Sequence, residues 1–237
     1  MTEQRRDQEE ARITESRRFW LSALVFDSEQ AKAMAVGGQS RSDAIANAMG
    51  RAALELSGQV GFRQVTVERL LERSGSNRER FYRSYANLAA CYTAAYAPTI
   101  DELVDLMLRS GANAETWPSG VRRAMEALAD FAASEPDLAR GVIAEVSSVG
   151  GGAVEKRQTV IARLARAMET GRLASGRPVR VPPPITAEFV LFGIESVLIR
   201  CLRERAPVRD VLQGAVYLAV APYLGPSVAL AETRRIA

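Results

Sequence analysis

Thr66-Val67-Glu68-Arg69-Leu70-Leu71-Glu72-Arg73-Ser74-Gly75-Ser76-Asn77-Arg78-Glu79-Arg80-Phe81-Tyr82 holds two helix starts around one sharp turn. Thr66 offers an N-cap hydroxyl two residues before Glu68, whose carboxylate suits the positive end of a helix. Leu70 and Leu71 give that helix, Val67 to Arg73, an inward side. Ser74-Gly75-Ser76 is the turn, and its glycine permits the left-handed backbone that a sharp change of direction needs. Asn77 caps a short third helix from Arg78 to Tyr82 or Arg83. Upstream, Ser42 and Asp43 open a first helix whose Ile45, Ala48, Met49, Ala52 and Leu56 share one face, and Gly58 and Gly61 are expected to end it. Short helices joined this way form a helix-turn-helix pattern.

Charge is concentrated in the same place. From Ser40 to Tyr92 there are eight basic and five acidic residues, whereas the first 39 residues carry six and seven. A recognition helix sets its first turns against base edges in the major groove while neighbouring side chains hold phosphates. Arg78, Arg80 and Arg83 lie on or beside that helix. The arginine fork matches two acceptors of a guanine edge at once, worth ~1 to 3 kcal/mol of discrimination. A charged helix is often only a solvated face; here the turn, both caps and the flanking aromatics favour DNA.

Gly61-Phe62, Thr66-Val67-Glu68, Gly75 and Phe81-Tyr82-Arg83-Ser84-Tyr85 resemble, without a gap in spacing, the DNA-binding domain of TetR-family transcriptional regulators. The resemblance implies an all-α fold divided into an N-terminal extension (1–39), a helix-turn-helix domain (40–86) and a helical ligand-binding and dimerisation domain (87–237). It implies base contacts from Arg78, Glu79 and Arg80 and phosphate contacts from Thr66 and Tyr82; Asn77 and Arg83 complete the candidate DNA-binding set. Phe81 and Tyr85 would pin the recognition helix to the first helix. The chain departs from the family pattern at Leu88, where a phosphate-binding lysine is usual, and at Ser57, Leu71 and Ser76.

Composition removes other classes. The 237 residues are 47% hydrophobic and 25% charged with net charge +3, an ordinary globular balance. There is no histidine, and Cys91 and Cys201 are far apart, so no catalytic residues, no metal and no cofactor are expected. The stretch Phe189 to Leu202 is interrupted by Glu195 and Arg200, too short for a membrane span. No signal-peptide pattern is visible, so a cytoplasmic location is expected.

After Leu88 the sequence reads as helices: Asn87 to Arg109 with a kink at Pro98, Pro118 to Ser134, Pro136 to Val149, Ala153 to Gly171, Thr186 to Arg205 and Val208 to Leu224. Arg172 to Thr186, with Pro182 to Pro184, reads as an extended connector. Thr14 to Val36 is a candidate extra helix carrying Phe19, Trp20, Leu24 and Met34. Phe189 to Leu202 is apolar around most of its circumference, which implies burial on more than one side. Val190, Ile194, Val197, Leu198 and Cys201, with Leu212, Ala215, Val216 and Ala219, are the candidate dimer interface, and Gly193 would admit a neighbouring helix. The resemblance implies a pocket among the middle helices, with Tyr92, Tyr96, Leu103, Met107, Met125, Phe131, Ile161, Leu164 and Met168 as candidates. Few charges on those faces favour an apolar ligand.

The expected function is that of a ligand-responsive repressor binding a palindromic double-stranded operator as a homodimer. The alternative is a helical protein-interaction module whose degenerate helix-turn-helix no longer binds DNA, a reading motivated by Leu71 and Leu88.

Overall fold

A computed structural model describes residues 41–112, 114–174 and 182–236. The candidate helix Thr14 to Val36 lies outside them. Among the described residues the chain is helical with no strand, so the fold is all-α as expected. A head is built from α1 (Arg41–Val60), a 3-10 turn (Phe62–Gln64), α2 (Val67–Ser74) and α3 (Arg78–Ser84). A body follows: α4 (Leu88–Ala112), α5 (Trp117–Ser134), α6 (Pro136–Ala139), a π-helical turn (Arg140–Ala144) and α7 (Val146–Val149). Then come α8 (Gly151–Ala174), α9 (Thr186–Arg203), α10 (Arg209–Leu224) and α11 (Pro226–Thr233).

The head's local signals act as read. Thr66 Oγ1 accepts from Arg69 N at 3.3 Å, Asn77 Oδ1 accepts from Arg80 N at 3.0 Å, and Gly75 has φ 62 and ψ 29, the left-handed region. Met49, Ala53, Leu56, Val65, Leu70 and Phe81 form the head core, and Cys91 from α4 completes it. The next residue, Tyr92, belongs to the body core. The two cores thus meet along α4, and α1 also reaches the body core through Leu54. Leu88, in place of a phosphate-binding lysine, is half-buried against the head core.

Several expectations are corrected. Gly58 does not end α1; the helix continues to Val60. The expected single helix Pro136 to Val149 is broken by the π turn. Arg172 is the last-turn base of α8, not part of an extended connector. The chain also carries α11, a helix opened by Pro226 at its first turn. Being short and without a clear apolar face, α11 leaves no periodic signal in the sequence beyond Leu224.

The π turn exists because its surroundings hold it. The Tyr92 hydroxyl donates to the Gly141 carbonyl, and Arg203 Nη2 donates to the Ala144 carbonyl at 2.9 Å. Side chains thus take up carbonyl oxygens that a regular helix would pair with its own backbone. Gly141 and Gly58 mark the crossing of this turn with α1. A Cβ on Gly58 would lie 1.8 Å from the Asp137 carbonyl oxygen, and one on Gly141 would lie 2.0 Å from that of Leu54. Only glycine allows backbones this close.

Candidate nucleic-acid interface and buried cavity

Helix α3 presents a charged outer side. Arg78, Glu79, Arg80 and Arg83 are exposed, as are Thr66 and Asn77, and Tyr82 is 56% exposed although its neighbour Phe81 is fully buried. Phe81 fixes the helix and Tyr82 faces outward. Arg78 is paired with Glu68 and Arg83 with Glu79, both between exposed side chains. Such exposed pairs contribute little to stability. Arg80 forms no ion pair among the described residues, and neither do Arg63 and Arg69, two exposed cations outside the expected set. A backbone N–H at the start of α2 holds the Glu68 carboxyl below its usual range, with Arg78 and Thr66 beside it.

The head is fastened to the body by polar contacts along one seam. Arg140, itself buried, donates from Nε to the Gly58 carbonyl at 2.8 Å and pairs with Asp137. Gln59 Nε2 donates to Asp137 at 2.8 Å, Phe62 N donates to Glu145 at 3.0 Å, and Arg51 reaches Glu135 at 3.0 Å. Aromatic packing runs the same way. The Phe62 ring meets Tyr92 edge-on at 5.5 Å, and Tyr92 stacks with Tyr96 at 5.9 Å.

Tyr96 borders an apolar cavity of about 90 Å³ inside the body. Six expected pocket residues line it: Tyr96, Leu103, Met107, Met125, Ile161 and Leu164. Tyr92, Phe131 and Met168 do not. Tyr92 is buried beneath the π turn, Phe131 borders a separate groove between α1 and α4, and Met168 packs with Ile161, Ala165, Ala187 and Leu191. Val142 and Ile143 of the π turn also line the cavity, one or two residues from the groups that grip the head.

Two charged lining residues escaped the sequence reading. Arg157 on α8 and Glu195 on α9 face each other with Nε to Oε1 at 2.6 Å and a second contact between Nη2 and Oε2; their side chains are 21% and 15% exposed. The hydrogen bond to Glu195 raises the guanidinium pKa against the opposing effect of burial. Arg157 also sits 5.7 Å from the centre of the Phe192 ring. Residues 38 positions apart on different helices gave no local signal of this pairing.

The candidate dimer interface divides. Ile194, Leu198, Cys201, Leu212, Ala215, Val216 and Ala219 are buried in this chain's own core, and Val190 is half-buried against it. Val197 is intermediate in burial. The outward apolar groups of α9 and α10 are Phe189 at 70%, Phe192 at 41% and Leu218 at 47% exposure. Gly193 lies on the same outward side, with no helix near it among the described residues.

A helix-turn-helix head clamped to a helical body that holds a partly open apolar cavity defines an architecture, and comparison with known proteins places it. No protein-family model matches the chain, and no curated protein matches it. Solved structures do. The fatty acid degradation regulator FadR from Bacillus halodurans matches with a TM-score of 0.64 and 10% identity, over 77% of this chain and 96% of that one. FadR from Bacillus subtilis, solved in complex with stearoyl-CoA, matches at 0.62 and 13%, over 74% and 97%. A TetR family transcription regulator from Marinobacter aquaeolei VT8 matches at 0.59 and 19%, over 77% and 97%. The chain has the TetR-type regulator fold. Among the described residues no helix is long and apolar enough to cross a membrane.

Proposed function

We propose that the protein is a ligand-responsive DNA-binding transcriptional regulator, a repressor that binds a palindromic operator as a homodimer. The observation that carries this reading is the double duty of the π turn. Val142 and Ile143 border the cavity, while Arg140 and Gly141 in the same turn hold α1 of the head. Pressure from inside the cavity has a short path to the helix-turn-helix.

The cavity's size supplies the direction of the switch. Ligand pockets commonly span ~300 to 1,000 Å³, and this one is about 90 Å³. A ligand of ordinary size binds only when the surrounding helices move apart, so it favours the expanded state over the closed one. That difference in affinity is what a ligand needs to shift the population. The stearoyl-CoA held by one structural neighbour is consistent with an apolar occupant.

Phe189, Phe192 and Leu218 are the surface for a second copy. Dimerisation would place two recognition helices about one DNA turn apart, ~34 to 36 Å, to read two half-sites. The test is gel-shift and sedimentation analysis with duplexes flanking the protein's own gene. A dimer that binds one of them, with affinity falling steeply as salt rises, supports the reading. A protein that binds no duplex even at low ionic strength refutes it and leaves the protein-interaction alternative.

A further inference from the structure

The cavity lining is apolar apart from Tyr96, Arg157 and Glu195, and the two charges already neutralise each other through two contacts. Among the described residues no other charged one lines the cavity. The Tyr96 side chain is buried, its hydroxyl makes no hydrogen bond among the described residues, and it lies near enough to Glu195 and Arg157 to respond to both charges. The lining therefore offers one uncommitted hydroxyl donor together with a balanced ion pair.

We propose that the cavity selects an uncharged amphiphile, an apolar chain or ring system ending in one neutral acceptor such as a ketone, ester or amide carbonyl, which accepts from the Tyr96 hydroxyl. The inference rests on the cavity being the ligand site and deepens that reading by naming the ligand's chemistry. A carboxylate or phosphate entering here would be a second anion beside Glu195. It could reach Arg157 only by displacing Glu195 and leaving that partly buried carboxylate without its partner against a largely apolar lining, which costs desolvation with no compensating charge. A neutral carbonyl needs no such exchange. It satisfies the Tyr96 donor and leaves the pair intact.

The experiment is calorimetric titration of the full chain with three probes of one chain length: methyl decanoate, decanoate and decanoyl-CoA. The ester is expected to bind tighter than either anion by about tenfold or more. Tyr96→Phe keeps the ring and removes only the hydroxyl; it should weaken ester binding by about threefold to tenfold. Glu195→Gln leaves Arg157 uncompensated and should invert the preference, so that decanoate binds tighter than the ester. Ile161→Trp fills the cavity and should abolish binding of all three probes. Decanoate or decanoyl-CoA binding tighter than the ester in the native chain overturns the neutral-ligand inference while leaving the cavity as the ligand site. Binding that survives Ile161→Trp, or no binding of any probe to the native chain, overturns the cavity reading and this inference with it. Preferences unchanged in both Tyr96→Phe and Glu195→Gln overturn the assignment to these residues.

Discussion

Gly58→Ala is the sharpest test of the seam between head and body, because local and tertiary physics predict opposite signs. Gly58 lies inside α1, where alanine is the better helix former by about 1 kcal/mol. Local propensity alone therefore predicts a stabilised protein. The crossing predicts the reverse: the new Cβ would sit 1.8 Å from the Asp137 carbonyl oxygen and 2.8 Å from Gly141 N. Both neighbours are backbone, so no side-chain rotation relieves the clash, and α1 must separate from the π turn by more than an ångström. Overpacking of this kind costs ~1 to 3 kcal/mol. Separation also stretches the bonds from Arg140 to the Gly58 carbonyl and from Gln59 to Asp137, each at 2.8 Å, at about 0.5 to 1.5 kcal/mol apiece. After the propensity gain is subtracted, a net loss of about 1 to 5 kcal/mol is expected. For a chain of this size that lowers the melting temperature by roughly 2 to 20 °C. The assay is thermal unfolding by calorimetry, paired with operator binding measured with and without a cavity ligand. Unfolding should come earlier, and any remaining DNA binding should respond less to ligand. A variant as stable as the native chain or more so, with its ligand response intact, would refute the reasoning that the α1 crossing transmits the signal.

Arg80→Ala should relax base preference at one operator position by ~1 to 3 kcal/mol, and competition binding against a panel of single-base variants reads this directly; equal loss on every sequence would reduce Arg80 to a phosphate contact. Leu218→Glu puts a charge at one of the outward apolar groups of α9 and α10 and should convert the dimer to monomer in sedimentation while preserving the helical circular dichroism; an unchanged dimer would place the interface elsewhere. Burial pushes the Cys91 thiol up to about 12 and Tyr85 up to about 12, from ordinary values of 9.0 and 10.0. Both groups are neutral when protonated, so the stability they contribute is fully present below pH 9 and pH 10 respectively and is lost as pH climbs to 12. The expected result is alkaline unfolding of the head, with a shallower slope in Cys91→Ala; an identical slope in that variant would exclude the thiol as a contributor.

The helix-turn-helix was legible in the sequence because its determinants are local. A hydroxyl at Thr66, an amide at Asn77 and a glycine at Gly75 act on backbone within three residues of themselves. Leu70 and Phe81 reach the head core through helical spacing that can be counted along the chain. The apolar nature of the cavity was legible for a similar reason, since six of its lining residues recur at helical intervals.

Other features depend on segments far apart in the chain. Residues Phe189 to Leu202 look apolar on nearly every side, so periodicity could not decide which side a neighbouring helix would cover; packing buried Ile194 and Leu198 and left Phe189 and Phe192 outside. The same limit hid the Arg157–Glu195 pair, the contact of Gly58 with Gly141 and the π turn held by Tyr92 and Arg203. By itself the sequence determined where helices start and turn, because capping and backbone conformation are properties of neighbours in the chain. Only the tertiary structure decided which faces meet, which charges pair and how the cavity touches the head, because those outcomes are set by competition among distant surfaces for the same interior.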